Sequence, residues 1–425
     1  MKAALRFGRR AFLKVMAALG ASAAIPAPAA KPGLAFAPAA FEADSSSVLI
    51  WLCGDAALET VVEYTASADA TDAKRSQSIR LSAATDFVAT VALIDLQAGT
   101  EYHYRILAAD GTELFKGGRF RTAPAKAAKF TVAFTGDMEA SFQPFSLLDT
   151  IAAANPHVFL HLGDTVYADH PKKAFAPSIK HYRFKHAENR KDAALQRLLA
   201  HCTTFAIWDD HEVANNAHAT HPNLAEGLQV FREYWPVKSA ETDALYRRVS
   251  WGGCDFIILD TRRFKSSQAA PEDADKTMLG AKQKAWFKRT LTESKALFKF
   301  VITSVPFHAG GSDTWGNYTT ERDEIAAFIR DEKIAGVVLL SADYHMARDW
   351  SNAKTGLKEF MVGPIATKTQ FQMNPDARQR HEKSGKFFYD GYNFGMLDVD
   401  MTASPAAAKL RVIDLAGKTL FETTL

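Results

Sequence analysis

Residues 41–124 carry short β-branched and aromatic runs separated by turn residues. Runs at 48–52, 59–64, 87–92 and 102–107 each predict a strand, and in the last of these Tyr102 and Tyr104 fall on one face. From Phe130 onward the pattern changes. Apolar runs of four to six residues now alternate with longer polar or helical stretches, which predicts α/β architecture. Residues 280–294, with Ala285, Phe287 and Leu291 set among lysines, predict a surface helix. Residues 169–191 are rich in His, Lys and Arg and predict a long exposed insertion.

The first residues read differently. Gly8-Arg9-Arg10-Ala11-Phe12-Leu13-Lys14 resembles the twin-arginine export signature, with Gly8 where Ser or Thr is usual. An apolar run at 15–25 follows, shorter than the ~20 residues that span a bilayer. Ala27-Pro28-Ala29 and Ala35-Phe36-Ala37 are both candidate cleavage triplets. The expected organisation is therefore a signal peptide at 1–37, a small β domain at 38–125 and a larger domain at 126–425. In the β domain, Leu96 to Tyr102 resembles the turn before the tyrosine corner of fibronectin type III domains.

The leader changes the charge argument. It holds six of the 51 basic residues and none of the 48 acidic ones, so residues beyond 37 carry 45 basic against 48 acidic, a net −3 in place of the whole chain's +3. No basic field remains to hold nucleic acid in a stable complex. Three cysteines, Cys53, Cys202 and Cys254, cannot complete a disulfide framework and show no metal-ligand spacing; Cys202 and Cys254 are expected in the core.

The chemistry lies in a repeated grammar, in which an apolar run ends and a polar side chain follows at once. The runs lead to Asp137, to Asp164, to Asp209-Asp210-His211-Glu212, to Asp260-Thr261-Arg262, to Ser304 and His308, and to Asp343-Tyr344-His345. Ligands of α/β sheets gather at the carboxyl ends of strands, so these six ends are expected to meet in one crevice. A single Asp after a strand is commonly a cap or turn former, but six in series are harder to explain that way. Carboxylates crowded together resist ionising unless cations are present. Arg262 is open to two readings, a contact to phosphate or a structural ion pair.

Gly163-Asp164-Thr165-Val166-Tyr167-Ala168-Asp169, Trp208-Asp209-Asp210-His211-Glu212, Leu259-Asp260-Thr261-Arg262 and Ser341-Ala342-Asp343-Tyr344-His345 together resemble the motifs of PhoD-type alkaline phosphatases, within the calcineurin-like metallophosphoesterases. The resemblance covers nearly all of the chain beyond the leader. It implies a two-sheet sandwich flanked by helices, preceded by a small all-β domain, and a centre of two metals. Asp164 would bridge the metals. Asp137, Tyr167 and His345 would complete one site, and Asp210 and Asp343 the other, with Asn216 a further candidate. His211 would sit beside the leaving group. Two departures stand out. Gly136-Asp137 replaces the usual Ser-Cys, and Ala342 precedes Asp343 in place of Gly.

If ionised, Asp137, Asp164, Tyr167, Asp210 and Asp343 supply five negative charges, matched by one trivalent and one divalent cation. With one imidazole and no thiolate, such a set suits hard cations, Fe³⁺ with Ca²⁺, over zinc, other divalent ions being alternatives. The expected activity is hydrolysis of small-molecule or polymeric phosphate esters by a hydroxide activated between the two metals. The expected partner is the twin-arginine export machinery and the expected location periplasmic or secreted, with no membrane span. Two other classes compete: an inactive exported binding or adhesion protein of the same fold, and a zinc hydrolase of a non-phosphate substrate.

Overall fold

The structure is a computed structural model that describes residues 32–67, 71–238 and 244–425. The arginine pair, the apolar run and the first cleavage triplet lie outside the described residues. Within Gly33–Leu425 the chain forms three sheets.

The first sheet has nine strands. Lys129–Thr135, Val158–His161 and Thr203–Ala206 lie parallel at its centre. Asn393–Asp400, Ala407–Asp414 and Thr419–Thr424 extend one side as an antiparallel meander. The other side is built by the N-terminal segment. Ala39–Phe41 pairs parallel to Thr203–Ala206, followed by Val48–Cys53 and Val88–Leu93. Segment 38–125 is thus all-β as expected, but its strands divide. These three join the large sheet, and the five-stranded sheet takes the rest, including Leu58–Thr65, Glu101–Ala108 and Glu113–Arg121. The reason is burial: Phe41, Ile50 and Trp51 are fully inaccessible and share the main core. Tyr102 and Tyr104 share a buried face, and the Tyr102 hydroxyl accepts from the Gln97 amide at 2.8 Å, pinning the turn before its strand.

The second sheet has seven strands, four of them parallel: Cys254–Ile258, Lys299–Ile302, Val337–Ser341 and Lys358–Met361. Their period-2 alternation separates two cores. Phe256, Ile258, Phe300, Ile302, Val338 and Leu340 face the first sheet. Ile257, Val301 and Leu339 face the helices Gly280–Glu293 and Thr319–Asp331, meeting Phe287, Leu291, Ile325 and Ile329. Burial on both faces explains why these strands read as continuous apolar runs. All three cysteines are buried and free.

The insertion expected at 169–191 is exposed at 171–178 except for the half-buried Phe175, but is not an exposed loop beyond. Ile179–Arg190 is a helix capped by the Ser178 side chain, and Tyr182, Lys185, His186, Asn189 and Arg190 form its buried face. Their polarity hid the helical stripe. The Arg190 guanidinium lies 4.5 Å from the ring centres of both Trp51 and Trp235, and the Asn189 amide donates to the Met138 and Thr165 carbonyls at 3.0 and 2.9 Å. Among the described residues no helix is long and apolar enough to cross a membrane.

Candidate metal centre

Loops at the carboxyl ends of both sheets' parallel strands bring together Asp137, Asp164, Asp210, His211, Asp343 and His345. Among the described residues four sets each present one donor atom per residue within 4.8 Å of one another: Asp137 with Asp164 and His345, Asp164 with Asp210 and His211, Asp209 with Asp210 and Asp343, and Asp169 with His170 and His211. Asp164 belongs to two of these sets, between Asp137 and Asp210.

The backbone is shaped to allow this. Asp137, Asp164, Asn216, Asp343 and His345 all hold left-handed conformations, with φ between 52° and 73°. Non-glycine residues rarely adopt this region, and such outliers cluster at functional sites. The loops brace each other through the Asp137 amide to the Gly163 carbonyl at 3.1 Å and the Met138 amide to the Asp164 carbonyl at 3.0 Å. Glu212 is fully buried and accepts from Thr165 N at 2.6 Å, Thr165 Oγ1 at 2.8 Å and Asp209 N at 2.9 Å, tying the second loop to the third. Burial pushes its carboxyl up to about 7. Gly163, at φ 118°, admits no side chain, since a Cβ there would sit 2.7 Å from that of Asp209.

Electrostatically the site is acidic and largely buried. Asp137 and Asp164 are 1% exposed and Asp210 is 3% exposed. Burial first, then neighbouring carboxylates, raise Asp137, Asp164 and Asp343 well above the ordinary carboxylate range. Asp137 Oδ2 and Asp210 Oδ1 are buried without a hydrogen-bond partner. Buried acceptors are rarely left so, and a cation would satisfy both.

Tyr167 and His345 complete one side. The Tyr167 hydroxyl lies 2.8 Å from His345 Nε2, and His345 Nδ1 lies 2.7 Å from the Lys368 carbonyl. A carbonyl only accepts, so Nδ1 carries the proton and Nε2 turns its lone pair to the pocket. Burial lowers His345 to about 4, keeping the ring neutral. Burial and the Asp164 charge raise the Tyr167 phenol well above its usual value. His211 stacks on Tyr167 with ring centres 4.1 Å apart. Its Nδ1 is 2.6 Å from Asp169 Oδ1. Burial opposes charge on His211, but Asp210 and the Asp169 hydrogen bond outweigh it and lift the ring to about 9.

Other expected site residues are placed differently. Arg262 is fully buried. Its Nε and Nη2 donate to the two Asp209 oxygens at 2.6 and 2.7 Å, and Nη1 to Asp313 at 2.5 Å. Of its two readings the ion pair is present; Nη1 and Nη2 each keep a second N–H, and Nη2 lies 3.6 Å from Asp210 Oδ1 and 3.5 Å from Asp343 Oδ1. Asn216 supports Asp210 through its backbone N–H, while its side-chain amide faces Gln268 and Asp313. At two of the six strand ends one residue turns away, while Arg262 and Ser304 of those ends reach Asp209. Asp260 accepts from the Trp208 indole and the Arg262 and Arg263 amides, and His308 lies 2.9 Å from Glu359. Asp169, Asp209 and Glu212 were in the quoted motifs without an assigned role. Asp313 and the Lys368 carbonyl carry no signal in the sequence.

A family model described as "PhoD-like phosphatase" matches residues 130–410, and one described as its N-terminal domain matches residues 23–124. Alkaline phosphatase D of Bacillus subtilis (strain 168) is 26% identical over 303 residues, 59% of this chain and 52% of that protein, so the match spans about half the length of the relative. A solved structure of PhoD superposes with a TM-score of 0.75 at 21% identity, covering 92% of each chain. A purple acid phosphatase from yellow lupin seeds superposes with a TM-score of 0.61 at 13% identity, over 92% of this chain and 74% of that one. These two likenesses establish the fold, a sandwich of two mixed sheets with flanking helices.

Proposed function

The chain belongs to the PhoD-like phosphatase family, and from that premise we propose that it is an exported, metal-dependent hydrolase of phosphoric esters, small-molecule or polymeric. The observation that carries this reading is the pair of buried carboxylate oxygens that accept no hydrogen bond, Asp137 Oδ2 and Asp210 Oδ1, in the two donor sets that share Asp164.

The donors fit two hard cations, Fe³⁺ and Ca²⁺. Asp137, Tyr167 and His345 would hold one, Asp210 and Asp343 the other, and Asp164 both. Asn216 contributes by fixing Asp210. Bound there, the cations would acidify a water and offset charge on the phosphoryl oxygens. The protein's own part is positioning. His345 Nε2 is aimed by the Lys368 carbonyl. Asp169 holds His211 Nδ1, which leaves Nε2 to carry a proton toward the leaving-group oxygen. Tyr167 stacks beneath that ring and limits its rotation. Arg262 fixes the orientation of Asp209.

Export by the twin-arginine route follows from the leader. Of the two triplets we favour Ala27-Pro28-Ala29, because the Ala35 amide donates to the Cys53 carbonyl at 2.9 Å and the Ala37 amide to Gln196 at 2.9 Å. A cut after Ala37 would remove that pairing. The working boundaries, 38–125 and 126–425, then mark regions that share a sheet.

The test is hydrolysis of aryl phosphate mono- and diesters by the exported protein, with metal content measured. Chelation should abolish turnover and re-addition of metal restore it. Undiminished turnover in metal-free protein would sink the proposal.

A further inference from the structure

Arg348, on the short strand Ala347–Asp349, is 6% exposed, yet its Nε and Nη1 are buried with no hydrogen-bond partner. Its guanidinium lies 4.0 Å from the centre of the Trp350 ring, whose own indole N–H is also buried and unpartnered. Both groups can only donate. Leaving such donors unmet in the interior is unfavourable, more so for a charged one. Arg348 and Trp350 line an open cavity of about 690 Å³, together with Lys358, Lys386, Ser351 and Ser384. None of the described residues lining it is acidic. The lysines do not neutralise one another's charge or find a carboxylate. Lys358 Nζ donates to the Thr424 carbonyl at 3.2 Å, and Lys386 Nζ to the Ser351 carbonyl. Glu359, the acid nearest in sequence to Lys358, accepts from the Phe307 and His308 amides and from Ser341 Oγ.

We propose that this cavity is a second oxyanion site, distinct from the metal centre, in which Arg348, Lys358 and Lys386 bind a tetrahedral phosphate dianion, free or carried on a compact organic group. The argument is one of complementarity. A concave surface lined by three cations and no acid favours a ligand made of acceptors with negative charge, and the unmet donors of Arg348 and Trp350 lie just beneath it. None of the metal-centre residues lines the cavity. The choice of phosphate among tetrahedral anions rests on the proposed phosphoesterase activity; the choice of an oxyanion does not.

The experiment is calorimetric titration of the full-length, metal-loaded protein with inorganic phosphate and, separately, with phenylphosphonate, which is not hydrolysed. The wild type should show two classes of site for phosphate. Arg348→Gln should lose one class and retain turnover of an aryl phosphate. Asp164→Asn should lose the other and keep the class that depends on Arg348. Because Arg348 is buried, folding is checked by circular dichroism, and Lys386→Glu supplies a variant on the exposed rim. It should weaken the same class by about five-fold or more, from a reversed charge near the ligand. Phenylphosphonate binding to that class identifies esters as well as free phosphate, and its failure restricts the site to the free anion. Two unchanged classes in both Arg348→Gln and Lys386→Glu would overturn the site. Retention of both classes in Asp164→Asn would instead overturn the metal-centre assignment.

Discussion

Two buried charge clusters in this molecule are built on opposite terms. At the metal centre five carboxylates crowd together, Asp137, Asp164, Asp209, Asp210 and Asp343; Arg262 pairs with the last three, and Asp137 Oδ2 and Asp210 Oδ1 accept no hydrogen bond. Where the N-terminal segment joins the first sheet, Glu42 and Arg247 are 3% and 6% exposed and form a bidentate pair, with Arg247 also donating to the Leu245 and Ala206 carbonyls at 2.8 and 2.9 Å. One cluster is balanced and fixes where the segment docks. The other is overloaded with like charge and held in left-handed backbone. The lesson is that burial of charge is not in itself a functional signal, whereas buried charge left unpaired is.

The comparison can be broken by substitutions that have opposite consequences in the two clusters. Asp164→Asn should lower kcat/KM by about 10³-fold or more, since it weakens both proposed metal sites at once. In metal-free protein the same change should raise the melting temperature by relieving repulsion among buried carboxylates. An unchanged rate would refute the bridging assignment, and a fall in metal-free stability would refute the overload.

Glu42→Gln should do the reverse. It leaves the Arg247 guanidinium buried without its counter-charge, at a cost of roughly 3 kcal/mol in unfolding free energy by denaturant titration. Activity per folded molecule should be unaltered, and a loss of turnover at full folding would link the two clusters.

His211→Ala sharpens the comparison within the metal centre. Its kcat should fall by about 10²-fold with metal content nearly constant. The deficit should shrink as the leaving group is activated, which is the mark of a proton donor. Loss of metal from this variant would make His211 a ligand and overturn its role.

The smallest effect is optical. Tyr167→Phe keeps the ring volume and the stack on His211, so the fold should be retained. The iron-loaded wild type should be coloured by a tyrosinate–Fe³⁺ transition and the variant colourless. A colourless, active wild type with two divalent metals would remove iron from the assignment and leave the esterase reading standing.

Much of this was open to reading along the chain because it depends on local pattern. The strand at 48–52 extends only to Cys53, and the helix expected at 280–294 is Gly280–Glu293. Asp137, Asp164, Asp210, Asp343 and His345 stand directly after apolar runs, so their place at strand ends follows from hydrophobic periodicity and sheet geometry. The helix at 179–190 was missed for the complementary reason. Its buried face is polar and becomes stable only against Trp51, Trp235 and two loop carbonyls contributed from elsewhere.

The sequence by itself determined the element types of most of the chain, the family resemblance and the roster of carboxylates after strands. Each of these is written in neighbouring residues. Only the tertiary structure decided which polar groups are already taken. It closed the Arg262 fork on Asp209 and Asp313, turned Asp260 to an indole, and set the N-terminal strands into the large sheet. It left Nε and Nη1 of Arg348 without a hydrogen-bond partner. Partnership depends on distance and direction between residues far apart in the chain, and a side chain's chemistry fixes what it can bind but not what it meets.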